Sequence, residues 1–236
     1  MTGVPTFKPA GDAGLLVELA QTASDGANRR VIALDHAIAA AQIDGIREVI
    51  PALVNLMVRF DPLVTDHATI QGAVRALFPV QEPPQSNPKT HIIPVCYDPD
   101  LCPDLSHVAG ATGLSTSAVI TAHLNARLTV SMYGFAPGYA YLSGLPKVIH
   151  VPRKTIALRD VPKGSILIAG AQSIITPLTM PTGWNIIGRS PTEIIQSHAT
   201  DPFLFGVGDI VTFTRIPRAD LPERLQTPRQ TPRQTP

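Results

Sequence analysis

The distribution of proline and glycine constrains this chain more than any other feature. Its 24 prolines concentrate between Pro83 and Pro103, through the central loops and in the C-terminal tail. Proline fixes φ and removes a backbone donor, so such a chain builds rigid turns and short elements in place of long helices. From Leu128 onward the helix signals vanish. Short β-rich runs at Leu128 to Met132, Ser165 to Ala169, Ile174 to Leu178, Asn185 to Ile187 and Ile210 to Ile216 are separated by glycine and proline, the pattern of a small β-barrel or sandwich.

The first ninety or so residues read differently, because the two hydrophobic periods alternate. Leu15, Val17 and Leu19 alternate as a strand. Ser24 can cap a helix carrying Val31, Leu34, Ile38 and Ala41 on one face, with Gly45 ending it. A strand near Arg47 to Ile50 follows, then the alternating run Val54, Leu56, Val58 and Phe60, which Asp61-Pro62 breaks. Asp66 caps a second helix with Ile70, Val74, Leu77 and Phe78 on its apolar face. The linker Glu82 to Lys89 leads to a strand at His91 to Tyr97. The resulting order, β-α-β-β-α-β, predicts a ferredoxin-like split βαβ arrangement. Two short helices are expected between Asp104 and Arg127, the second capped by Ser115, as a bridge to the β-rich half. The expected organisation is an α+β chain: residues 1–89 an N-terminal α+β domain with its linker, 90–217 a β domain with short bridging helices, and 218–236 a disordered proline-rich tail. The repeat Thr227-Pro228-Arg229-Gln230, Thr231-Pro232-Arg233-Gln234 is too polar to bury anything.

Composition narrows the partners. A formal charge of +1 offers no global field for a phosphate backbone or anionic lipid, so neither nucleic acid nor membrane surface is an expected partner. Met1 to Phe7 lacks the basic-then-apolar pattern of a leader, and no run approaches the roughly 18 apolar residues of a membrane span, so a cytoplasmic location is expected. Cys96 and Cys102, separated by Tyr97 to Leu101, fit no short zinc or redox motif and read as reduced thiols. The seven histidines show no close metal-ligand spacing, and no metal site is expected.

Candidate chemistry collects between Tyr133 and Arg189. The run Gly134 to Pro146 places three glycines and two prolines among aromatics, which forces turns with little side-chain bulk. Such a loop either packs Phe135 and Tyr141 into the core or lets a ligand or partner approach closely. Downstream, Pro152-Arg153-Lys154, Gly170-Ala171-Gln172, Gly183-Trp184 and Gly188-Arg189 supply cations, an amide and an indole. Arg153 and Arg189 could grip a carboxylate or phosphate bidentately, Gln172 could donate and accept, and Trp184 could wall a pocket. The alternatives are solvated arginines and a packed core tryptophan. Val161-Pro162-Lys163-Gly164-Ser165 lacks the glycine loop and helix of a P-loop and reads as a hairpin turn. Gly206-Val207-Gly208-Asp209 opens a strand and also reads as a turn. No Gly-x-Ser-x-Gly elbow occurs, and His123 reads as a satisfied structural histidine.

These motifs in order, Gly134-Phe135-x-Pro137-Gly138-Tyr-x-Tyr141-Leu-x-Gly-Leu, then Pro152-Arg153, Val161-Pro-x-Gly-Ser-x-x-Ile-Ala-Gly-x-Gln172 and Gly183-Trp184-x-Ile-Ile-Gly-Arg189, resemble the B-subunit family of bacterial 5-oxoprolinase. That family is also called allophanate hydrolase subunit 1, and it includes the sporulation kinase inhibitor. Gly11-Asp12, Pro51, Asp61-Pro62, Ile93 to Tyr97 and His123 extend the resemblance over roughly Phe7 to Ile216. It implies a C-terminal cyclophilin-like β-barrel after the ferredoxin-like domain, and partnership with the C and A subunits of such an enzyme. It further implies ATP used by the assembled complex to open 5-oxoproline to glutamate. Carried over, Gly134, Phe135, Pro137, Gly138 and Tyr141 form a partner-facing or substrate-facing pocket, with Arg153, Gln172, Trp184 and Arg189 as contacts and no catalytic residue assigned. The resemblance also admits a biotin-dependent carboxyltransferase, an allophanate- or urea-type amide hydrolase, and a histidine-kinase inhibitor. Ser173 to Pro177 and Pro181-Thr182-Gly183-Trp184 depart from the family's Thr-Gly-x-Tyr-Pro and Pro-Gly-Gly-Trp runs, which leaves the substrate less determined than the family.

Overall fold

The computed structural model describes residues 4–80, 88–196 and 201–226. The tail from Thr227 to Pro236, most of the linker Glu82 to Lys89, and His198 lie outside them. By contacts the chain forms two units, Met1–Pro88 with Ser131–Tyr133, and Lys89–Val130 with Gly134–Pro236.

In the first unit the strands are β1 (Thr6–Pro9), β2 (Gly14–Glu18), β3 (Ile46–Pro51) and β4 (Asn55–Phe60), and the helices are α1 (Asp25–Ala41) and α2 (His67–Ala76). Both helices start where their caps predict. The Ser24 hydroxyl accepts from Ala27 N at 3.1 Å, and the Asp66 carboxylate accepts from Thr69 N at 2.8 Å. α1 stops earlier than Gly45, because Gln42 takes the left-handed conformation, φ 46°, that ends it. Leu15, Val17, Val31, Leu34, Ile38, Leu56, Val58, Ile70 and Val74 close one core between sheet and helices, while Ala41 stays outside it. The sheet order is β1-β2-β4-β3, with every neighbouring pair antiparallel. This is the ferredoxin-like sheet with one substitution of origin. The edge expected for the strand at His91 to Tyr97 is filled by β1, which reaches β2 through a tight turn closed by Ala10 N to Gly14 O at 2.8 Å. A local hairpin closes a far shorter loop than a strand from beyond residue 89 would.

The displaced strand, β5 (Thr90–Val95), belongs to the second unit. There it runs parallel to β13 (Ile210–Arg215) in continuous register, from Thr90 opposite Ile210 to Val95 opposite Arg215. The remaining strands are β6 (Leu128–Tyr133), whose last three residues count with the first unit, and β7 (Ala140–Ser143), β8 (Leu158–Val161), β9 (Ser165–Ala169), β10 (Gln172–Ile175), β11 (Met180–Thr182) and β12 (Asn185–Arg189). Seven form one sheet in the order β12-β9-β10-β7-β6-β13-β5. Its two ends meet: Cys96 and Arg189 exchange backbone hydrogen bonds of 2.8 and 2.9 Å, closing the sheet into a barrel. Gly188 permits this seam, since a Cβ there would lie 2.6 Å from Val95 Cγ1. β8 pairs with β11 in a separate ribbon, so Val161 to Ser165 is a turn between two sheets and not a hairpin. Gly206 to Asp209 is the expected turn, closed by Asp209 N to Gly206 O at 3.1 Å. Helices α3 (Leu105–Thr112) and α4 (Thr116–Leu124, capped by Ser115) belong to this unit and pack on β12 and β13, and a short α5 (Glu223–Gln226) follows the barrel. The fold class is therefore α+β, a ferredoxin-like unit followed by a cyclophilin-like β-barrel.

Candidate functional site

Within the glycine-rich stretch, Ala140–Ser143 forms strand β7. Gly134 to Tyr139 folds into a compact turn, with Gly134 N bonded to Tyr139 O, Ala136 N to Gly134 O and Tyr139 N to Ala136 O at 2.9–3.2 Å. Gly138 has φ 71°, and a Cβ there would meet Ile195 Cγ1 at 3.0 Å and Pro177 Cβ at 3.3 Å, so only glycine seats the turn against these side chains. Phe135 also has a left-handed φ of 71°, is 71% exposed, and is followed by the exposed Pro137. A bulky side chain rarely adopts that conformation, so the turn around it imposes it.

From Phe135 a ladder of rings descends to the barrel. Phe135 meets Tyr139 at 5.2 Å between centroids, Tyr139 meets Tyr141 at 5.2 Å, and Tyr141 meets Trp184 at 6.0 Å, all steeply inclined. The Arg153 guanidinium lies 5.4 Å from the Trp184 ring centroid, a cation–π contact on an exposed side chain. Trp184 itself is 3% exposed and packs with Leu167, Ala169, Ile174 and Ile186, so it is both core and floor. Gln172 stands opposite Ser143 and Ala169, and strand alternation sets it on the same face as Ile174, Tyr141 and Trp184. Its Nε2 is buried and has no partner among the described residues.

The loop bearing Arg153 is tied down by residues that the sequence reading missed. Asn185 donates to Pro152 O at 3.0 Å, Lys154 N donates to Gly183 O at 2.6 Å, and Gly170 N donates to Val151 O at 2.7 Å. The Asp104 carboxylate holds the Lys154 ammonium at 2.6 Å and also accepts from Ile186 N at 2.7 Å. Nothing in the sequence pairs Asp104 with Lys154, because fifty residues separate them. Tyr139 is a further addition, though it sits inside the motif. Burial, and then its neighbour Tyr141, push its hydroxyl above the usual range against the pull of Arg153, so it remains a protonated donor.

Arg189 does not join this group. It is 2% exposed at the barrel seam, where one guanidinium nitrogen donates to Leu225 O at 3.3 Å. The expected anion clamp of Arg153 and Arg189 is thus corrected: β12 carries Trp184's end of the strand to the ladder and Arg189's end to the opposite closure. His123 is buried, and its Nδ1 shares a 2.6 Å hydrogen bond with the Tyr97 hydroxyl, while its Nε2 has no partner among the described residues. Cys96 and Cys102 are free and buried. A cavity of about 450 Å³ lies away from the ladder, lined by Cys96, Tyr97, Asp98, Arg215, Ile216 and Arg218. No metal-binding cluster of His, Cys, Asp or Glu occurs among the described residues, and no helix there is long and apolar enough to cross a membrane.

A barrel closed by a single bridge, with an aromatic face beneath a strained turn, has close relatives. The chain belongs to the family described as carboxyltransferase domain, subdomain C and D, which it matches over residues 5–205. Within it, the 5-oxoprolinase B subunit of Bacillus subtilis (strain 168) is 33% identical over 221 residues, covering 89% of this chain and 92% of that one. The same-named protein of Escherichia coli O157:H7 is 38% identical over 121 residues, 51% of this chain and 56% of that one. The crystal structure of TTHA0988 superposes with a TM-score of 0.76 at 32% identity, over 87% of this chain and 40% of that one. This chain therefore spans about two fifths of that protein. K. lactis urea amidolyase shares the fold, with a TM-score of 0.76 at 19% identity over 92% of this chain and 15% of that one.

Proposed function

We propose that this chain is the B subunit of a heteromeric, ATP-dependent 5-oxoprolinase, acting with the C and A subunits of that enzyme in the cytoplasm. The observation that carries this reading is the end-to-end likeness to the B. subtilis protein of that name, 33% identity over 89% of one chain and 92% of the other. The site adds a physical reason for a shared active centre. Its ladder offers aromatic faces, one exposed guanidinium, a protonated tyrosine and an amide lacking a partner among the described residues, but no nucleophile–base pair. Such a face orients and encloses a ligand, and reactive groups arrive with another polypeptide.

A lactam is a stabilised amide, and phosphorylating its oxygen turns it into an electrophile that water can attack. ATP supplies that phosphoryl group in the assembled enzyme. On this chain, Gln172 Nε2 donates to a carbonyl or carboxylate oxygen of the substrate, Trp184 and Tyr141 exclude water, and Arg153 balances negative charge. Phe135 projects towards the companion polypeptide. The test is reconstitution: this chain alone should hydrolyse no ATP in response to 5-oxoproline, and addition of the A and C subunits should produce glutamate and ADP together. A verified three-component complex without 5-oxoproline-dependent ATP hydrolysis rejects the reading. A biotin-dependent carboxyltransferase role would instead appear as carboxyl transfer from a biotin carrier in the same mixture.

A further inference from the structure

Arg189 is a buried cation whose pairing is incomplete among the described residues. A guanidinium with 2% exposure has given up its hydration, yet its Nε has no partner among the described residues and its Nη1 donates over 3.3 Å to a neutral carbonyl. The titratable groups acting on it are the thiols of Cys96 and Cys102, and burial pushes the Cys102 thiol up to about 12, so it supplies no negative charge at neutral pH. Among the described residues no carboxylate forms an ion pair with this cation. The place of one is taken by the C-terminal segment Leu221–Gln226, whose Leu225 carbonyl faces Arg189 while the next carbonyl, Gln226 O, is held by Arg218 at 2.5 Å. Two arginines thus grip two consecutive carbonyl oxygens.

That segment is held by two leucines and a handful of polar contacts. Leu221 and Leu225 are buried at 3% and 9% exposure, Gln226 Nε2 bonds Leu221 O at 2.7 Å, and Arg224 pairs with Glu193 at the surface. Arg218 is shared with Asp98 and Asp100 at 3.3 and 3.1 Å, on the rim of the 450 Å³ cavity whose wall includes Cys96, the bridge partner of Arg189. Glycine at position 164 lets the neighbouring backbone approach, since a Cβ there would lie 2.3 Å from Ser190 O.

We propose that Arg189 is the centre of a binding site for a small oxyanion, a phosphate or carboxylate group, and that Leu221–Gln226 is a displaceable strap whose Leu225 carbonyl occupies the anion's place. A carbonyl oxygen carries only partial charge, whereas an oxyanion satisfies the planar fork with two charge-assisted bonds. The strap lowers apparent affinity by the fraction of time it is closed. The site is independent of the aromatic ladder and of the function proposed for it.

Calorimetric titration of the full chain with inorganic phosphate, and separately with acetate, tests this at constant ionic strength. The doubly substituted Leu221→Ser, Leu225→Ser protein should bind at least one of these anions about tenfold more tightly than the parent, as expected for freeing a mostly closed site. Adding Arg189→Gln should remove the gain. In the parent, a saturating concentration of the bound anion should speed amide exchange across residues 221–226. The proposal is overturned if the parent shows no such acceleration with either anion. It is equally overturned if the folded double variant gains no affinity, or keeps it without Arg189.

Discussion

His123 shows how one buried side chain sets a pH limit on the barrel. Burial alone lowers its pKa from 6.5 to about 3, so the ring is neutral, and its Nδ1 shares one hydrogen bond with the protonated Tyr97 hydroxyl. The unfolded chain binds a proton that the folded chain refuses. Stability from this residue is complete above about pH 6.5 and declines as pH falls towards 3, with a slope near 1.4 kcal/mol per pH unit. Urea titrations across that range should show the decline, and the double variant Tyr97→Phe, His123→Phe should flatten it. Tyr97→Phe alone leaves Nδ1 buried without a hydrogen-bond partner and should cost about 1–3 kcal/mol at pH 7. At the ladder, Gln172→Met keeps length and packing but removes the amide whose Nε2 has no partner among the described residues. We expect an unchanged melting temperature and about tenfold lower activity in the reconstituted enzyme, the worth of one hydrogen bond to substrate. Full activity would remove Gln172 from the site.

Among the elements, the seam between β5 and β12 is the weakest closure in the barrel, a single bridge of two hydrogen bonds. Gly188→Ala would drive a methyl group into Val95 and should destabilise by about 2 kcal/mol, the scale of overpacking a tight core. Equilibrium unfolding in urea measures it, and a neutral result would mean that β5 and β12 can separate at little cost. The Arg153 loop depends on Asp104 in a similar way. Asp104→Ala strands the Lys154 ammonium, whose side chain is only 17% exposed, and frees Ile186 N–H, at a cost of about 2 kcal/mol. Increased proteolysis between Val151 and Ile156 should accompany it.

For the whole molecule, Phe135 is an exposed ring among several exposed large hydrophobics. Phe135→Asp should leave stability unaltered, because the ring is 71% exposed and aspartate tolerates a left-handed φ better than phenylalanine does. It should abolish co-purification of the companion polypeptide from the native cell. Retained capture with the variant would place the interface elsewhere.

Most local structure was written in the chain. Ser24, Asp66 and Ser115 begin helices where their hydroxyls and carboxylate reach the first free N–H groups, and alternation at Val54 to Phe60 gives β4. The motif from Gly134 to Trp184 also announced Phe135, Tyr141, Trp184 and Arg153, since glycines and prolines punctuate that stretch and fix its short-range geometry, while Tyr139 was not singled out. What the sequence could not decide was long-range pairing. β1 displaced the strand at His91 to Tyr97 because two strands competed for one edge, and loop length settled the competition. Arg189 reads like a surface clamp in sequence, yet barrel closure buries it against Leu225. Caps, turns and periodicity act over a few residues and can be read directly. Which strand edges meet, and which cations lose their water, depend on the energy of the closed barrel as a whole.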